Sequence, residues 1–126
     1  MTRERKEPGP DHPIEIFEQA GRITVAAAGR RVAETRHALA LKEAELPLVI
    51  YMPRDNGVLE FLERSDHTTW CPYKGEASYF HIKSPDGGLI KDAVWTYETP
   101  FPAVAAIKNH LAFYTSKIDV MEIWND

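Results

Sequence analysis

Leu48-Val49-Ile50-Tyr51-Met52 is an apolar run closed at both ends by Pro47 and Pro53. Proline lacks a backbone N–H and blocks helix continuation, so a run this short between two prolines reads as a buried central strand. Similar punctuation recurs along the chain. Arg22-Ile23-Thr24-Val25-Ala26-Ala27-Ala28 is rich in β-formers until Gly29-Arg30 permits a tight reversal into Arg31-Val32-Ala33-Glu34, the pattern of a hairpin. Residues 76–83 alternate up to Pro85-Asp86-Gly87-Gly88, and residues 89–98 return as the partner strand of a second hairpin.

Other segments carry mixed signals. In His37-Ala38-Leu39-Ala40-Leu41-Lys42-Glu43-Ala44, alanine and leucine favour helix, while Leu39, Leu41 and Glu43 share one face of a strand, and we read it as extended. After Pro53, the sequence Asp55-Asn56-Gly57 offers capping groups. Val58, Leu59, Phe61 and Leu62 follow on helical spacing with Glu60, Glu63 and Arg64 outward, which predicts a short helix. A second short helix is expected from Pro100 and Pro102, with Phe101, Val104, Ala105 and Lys108 on one face and Asn109 as its carboxy-terminal cap. Residues 111–114 and 118–124 read as closing strands. The expected class is mainly β (α+β), a compact antiparallel sheet with two short helices, whose strand order is not written locally. Residues 1–13, with alternating charges and three prolines, read as a flexible solvated leader that packs loosely over a single domain at 14–126.

Composition bounds the partners. The 126 residues carry 19 acidic and 15 basic side chains, a formal charge of −4, so nothing favours electrostatic capture by nucleic acid or an acidic membrane. Uncharged stretches such as 99–107 fall far short of the ~20 apolar residues of a membrane span. The amino-terminal charges do not read as a secretory signal, and the single cysteine, Cys71, cannot form an intrachain disulfide. A reducing cytoplasm is the expected setting.

Residues with chemistry are densest in His67-Thr68-Thr69-Trp70-Cys71-Pro72-Tyr73-Lys74-Gly75-Glu76-Ala77-Ser78-Tyr79. In an extended chain Cys71, Tyr73, Ala77, Tyr79 and His81 share one parity, and Ser78, Phe80 and Ile82 the other. Ala93, Trp95 and Tyr97 alternate similarly on the partner strand, so aromatic faces can meet across the turn and wall a cavity. Ordinary cross-strand packing is the competing reading. Cys71-Pro72-Tyr73-Lys74 differs from the Cys-Pro-Tyr-Cys of glutaredoxins in placing Lys74 where the resolving cysteine stands, and no helix follows it. A lysine charge close to the thiol would favour its thiolate, making Cys71 a candidate nucleophile, against the reading of a buried small hydrophobe. His67, Cys71, His81 and His110 are the available soft or imidazole ligands. No pair has zinc-site spacing, so no metal is expected. Glu43, Asp55, Asp66 and Glu98 come from separate elements, and no acid/base pair follows from the sequence.

Tyr51-Met52-Pro53-Arg54-Asp55, Leu62-Glu63-Arg64-Ser65-Asp66-His67-Thr68-Thr69, the segment from Cys71 to Phe80, Trp95-Thr96-Tyr97-Glu98 and His110-Leu111-Ala112-Phe113-Tyr114 are together similar to the bacterial and fungal family catalogued as domain of unknown function 427. The resemblance covers about residues 14–123. It implies a small, mostly β single domain, likened to the β-tent group, and carries a nucleotidyltransferase-like label. Polymerase-type nucleotidyl transfer uses a Gly-Ser loop and two nearby acids on a divalent metal, and covalent transfer uses a Lys-any-Asp-Gly motif. Neither pattern is present, since Lys74-Gly75-Glu76 departs from the second and Gly87-Gly88 sits in a hairpin turn. The family motif places Glu43, Tyr51, Asp55, Thr69, Cys71, Lys74, Tyr79, Trp95 and Tyr97 in its recurring set. Such a set implies a small-molecule pocket in which Lys74 holds an anionic or carbonyl group, Trp95 and Tyr79 stack on a flat ligand, and Glu43 or Asp55 orients a donor. For Asp55, capping the helix after Pro53 is the competing role.

Three readings follow. The first is a binder of an unidentified small molecule through Glu43, Tyr51, Asp55, Thr69, Lys74, Tyr79, Trp95 and Tyr97, with no cofactor named. The second is a transferase using Cys71 or Lys74. The third is an interaction protein that self-associates through an edge strand or the Trp124 end.

Overall fold

A computed structural model describes residues 3–126. Ten strands run in chain order: β1 (Ile14–Glu18), β2 (Arg22–Ala27), β3 (Arg30–Thr35), β4 (Leu39–Glu43), β5 (Val49–Pro53), β6 (Leu62–Cys71), β7 (Gly75–Lys83), β8 (Leu89–Thr96), β9 (His110–Phe113) and β10 (Val120–Trp124). Seven form one antiparallel sheet in the order β1-β4-β5-β9-β8-β7-β6, and three form a second, β10-β2-β3. The proline-bounded run becomes the interior strand β5, between β4 and β9.

The two expected hairpins form. Between β2 and β3 only Ala28 and Gly29 remain, both at positive φ (52° and 78°), the geometry of a two-residue turn whose twist matches its strands. Within residues 37–44, Leu39–Glu43 is extended as β4, and Ala44 turns away at positive φ. The two expected helices are 3-10 turns. Pro102–Ile107 begins with proline at its start and is followed by Asn109 in the left-handed region (φ 56°). The first is shorter and split into Arg54–Asn56 and Leu59–Phe61, neither with a side-chain cap. Leu62, read on a helical face, instead opens the ten-residue strand β6. Asp55 caps nothing and is exposed, while the Asn56 side chain accepts a hydrogen bond from Thr35 Oγ1 at 2.7 Å.

Alternation along the large sheet sorts side chains into two layers. Met52, Ile82, Val94, Leu111 and Phe113 face the small sheet and pack on Ile23, Val25, Val32 and Ala33. The other face carries Leu41, Tyr51, Ala77, Tyr79, Tyr97 and Ala112, covered in part by Val104 and Ile107 of the last 3-10 turn. Strand β7 is therefore buried along most of both faces.

Residues 3–13 lie against the β6–β7 end of the sheet. Trp70 Nε1 donates to the Glu4 carbonyl at 2.6 Å, and Lys6 N to the Pro72 carbonyl at 2.9 Å. The guanidiniums of Arg3 and Arg5 sit over the rings of Trp70 and Phe101. Among the described residues no helix is long and apolar enough to cross a membrane.

Candidate functional site

On the face of the large sheet away from the small sheet lies a cavity of about 210 Å³. The period-2 geometry of the strands explains its lining. Leu41 and Glu43 alternate inward from β4, Val49 and Tyr51 from β5, Tyr79 from β7 and Trp95 from β8, with Tyr97 just beyond. Leu46 and Pro47 of the β4–β5 loop and Tyr114 after β9 complete the rim.

Aromatic packing sets the walls. Tyr79 and Trp95 are opposed residues on β7 and β8. Trp95 meets Tyr51 edge-on at 6.3 Å between centroids and Tyr114 at 4.6 Å, and its Nε1 donates to the Tyr51 hydroxyl at 3.2 Å. The Tyr79 hydroxyl is 2.9 Å from Thr69 Oγ1 and 3.5 Å from the Tyr114 hydroxyl, which fixes that ring. Tyr97 is 6% exposed, and its hydroxyl makes no hydrogen bond among the described residues. The residue is buried as a whole, and Tyr97 forms part of the cavity lining.

The polar end of the cavity is an ion pair. Strand β6 ends at Cys71, and a tight turn brings Lys74 back under β4. There its ammonium donates to Glu43 Oε1 and lies 3.5 Å from Cys71 Sγ. Lys74 is 7% and Glu43 9% exposed, so each charge depends on the other for solvation. Glu43 Oε2 accepts from His12 Nε2 at 2.7 Å, and the His12 ring stacks on Tyr73 at 3.9 Å. Burial pushes the Glu43 carboxyl up, but the hydrogen bonds from Lys74 and His12 outweigh it and hold it below the ordinary carboxylate value. Burial, with the Glu43 charge adding to it, pushes the Tyr51 and Tyr97 phenols well above theirs. Tyr114 is pushed up to about 12 by burial and by its contact with Tyr79.

Six of the eight ligand candidates from the sequence, Glu43, Tyr51, Lys74, Tyr79, Trp95 and Tyr97, therefore line one space, and Thr69 orients a wall. Asp55 is exposed on its 3-10 turn and does not line it. Cys71 is half-buried and packs against the same apolar layer without lining the cavity. Tyr114 and Val49 were missed, although Val49 shares the parity of Tyr51. His12 was missed too, and no local pattern marks a histidine that reaches its partner 31 residues away.

A family model described as a domain of unknown function, number 427, matches residues 15–123. No curated protein matches the chain.

Proposed function

We propose a ligand-binding role for this chain, which belongs to the domain of unknown function 427 family: it holds a small molecule in the aromatic-walled cavity between β4, β5, β7 and β8. The observation that carries this reading is that the Tyr97 hydroxyl, on a residue 6% exposed, makes no hydrogen bond to the described residues and belongs to the lining of a space that also presents the Lys74–Glu43 pair. A pocket mostly apolar, with a few polar groups at one end, has the composition of a small-molecule site. Packing against the apolar layer needs only the ring of Tyr97, so its unspent hydroxyl is open to a ligand in the cavity. The reducing cytoplasm suits an unpaired Cys71.

The test is native mass spectrometry of the protein as purified and after challenge with a metabolite panel, set against its denatured mass. We expect a retained species in the parent and its loss in Trp95→Ala, with folding of the variant checked by circular dichroism. Absence of any bound species across a broad panel overturns the reading.

Transferase chemistry through Cys71 or Lys74 has one observation in its favour, the 3.5 Å contact between the ammonium and the thiol. It requires a nucleophile open to the cavity, whereas Cys71 does not line it and Lys74 is engaged with Glu43. We expect Cys71 to resist a mild thiol reagent until the protein unfolds. Stoichiometric labelling of the folded chain within minutes would revive the nucleophile.

A further inference from the structure

The hydrogen-bonding capacity left over in the cavity is all of one kind. The Tyr97 hydroxyl donates to none of the described residues. The Tyr51 hydroxyl accepts from Trp95 Nε1, and its own proton has no acceptor among the described residues. An ammonium has three N–H groups, of which Lys74 gives one to Glu43 and one to Cys71 Sγ. Three unspent donors thus line one space from β5, from beyond β8 and from the β6–β7 turn. The one carboxylate among the lining residues, Glu43, is already shared by Lys74 and His12. A ligand matched to this site brings an acceptor.

Charge narrows the acceptor further. Lys74 is balanced by Glu43, so an anion entering the cavity would have no free counter-charge, and the ring faces around it carry the negative side of their quadrupoles. Burial and the Glu43 charge hold the Tyr51 and Tyr97 phenols high, the response of a space that resists added negative charge. A cation would meet the Lys74 ammonium at the same end. Size narrows the frame, because about 210 Å³ is below the ~300–1,000 Å³ of pockets for drug-sized ligands and suits a single ring rather than a nucleotide.

We propose, resting on the ligand-binding reading above, that the cavity selects an uncharged planar ring bearing a carbonyl oxygen. That oxygen takes the hydroxyl protons of Tyr51 and Tyr97 on its two lone pairs, and the Trp95 and Tyr79 rings cover the ligand plane. Tyr97 is the residue that reads the carbonyl, since its hydroxyl has no other duty.

Benzamide, benzoate and benzamidinium have nearly one shape and are neutral, anionic and cationic. Each is titrated into the full chain while the indole N–H resonances of Trp70, Trp95 and Trp124 are followed by NMR. We expect benzamide to shift the Trp95 resonance saturably and leave the other two in place, with benzoate and benzamidinium at least about tenfold weaker, as an uncompensated buried charge demands. Tyr97→Phe should weaken benzamide about fivefold, the size of one lost hydrogen bond, while its thermal midpoint stays at or above the parent's. Equal or tighter binding of either charged probe overturns the selection for an uncharged ligand. Unchanged benzamide affinity in Tyr97→Phe overturns the role of that hydroxyl. Failure of all three probes to move Trp95 overturns the carbonyl class, whereas the ligand-binding reading falls only if the native mass also carries no retained species.

Discussion

Lys74→Met is expected to cost about 3 kcal/mol of stability at pH 7, measured by urea unfolding, because removing one partner leaves the other as an uncompensated buried charge. Glu43 is 9% exposed, and after the substitution only His12 still solvates it. The pH dependence follows from the sign of the shift. In the parent the Glu43 carboxyl lies below the ordinary value of 4.5, so its contribution is present above that value and is lost as pH falls through the folded value. Without Lys74, burial dominates and the carboxyl moves up. The penalty is then largest at neutral pH, where the carboxylate must be charged, and shrinks below about pH 4, where it is protonated. Adding Glu43→Gln to Lys74→Met should recover at least half of the loss at pH 7, since a neutral amide needs no counter-charge. A loss under about 1 kcal/mol, or one that grows with acidity, would show that solvent reaches the pair and that the polar end of the cavity is not closed.

What the sequence revealed of this fold is what depends on neighbours in the chain. The hairpins β2–β3 and β7–β8 announce themselves by β-branched alternation and by turn residues that accept positive φ, and β5 by its two prolines. The start of β6 misled because Val58, Leu59, Phe61 and Leu62 fit a helical period, yet only Leu59–Phe61 turns before the chain extends. Three residues cannot distinguish a 3-10 turn from the start of a helix. Strand order was illegible because it rests on pairings such as β10 with β2, which join residues about a hundred positions apart. The cavity was half legible. Same-face parity grouped Tyr79, Trp95 and Tyr97, and the family motif added Glu43, Tyr51 and Lys74. Asp55 failed because a motif position need not be a cavity position, and here the residue sits exposed on a turn. His12 required the folded chain, since its partner Glu43 belongs to another strand.

The two-layer arrangement also predicts that stability and the cavity can be separated within a single strand. Leu111 and Ala112 are consecutive on β9 and both fully buried, but they face opposite layers. Leu111 fills the space between the sheets, opposite Met52 and Thr96 in register and close against Gly57. Ala112 lies opposite Trp95, beneath the cavity. Leu111→Ala should therefore cost about 3–4 kcal/mol by urea unfolding, the sum of lost transfer energy and an unfilled void between two hydrogen-bonded sheets that cannot collapse onto it. That is a large share of the ~5–15 kcal/mol of a typical domain, yet the folded fraction should keep the Trp95 indole resonance and its response to benzamide unchanged. Ala112→Leu reverses the pattern: the larger side chain pushes on Trp95 and shifts its resonance, while the inter-sheet layer remains filled. If Leu111→Ala also moves Trp95, the sheet transmits packing strain from one face to the other, and ligand occupancy on the outer face would then be coupled to how tightly the two sheets close.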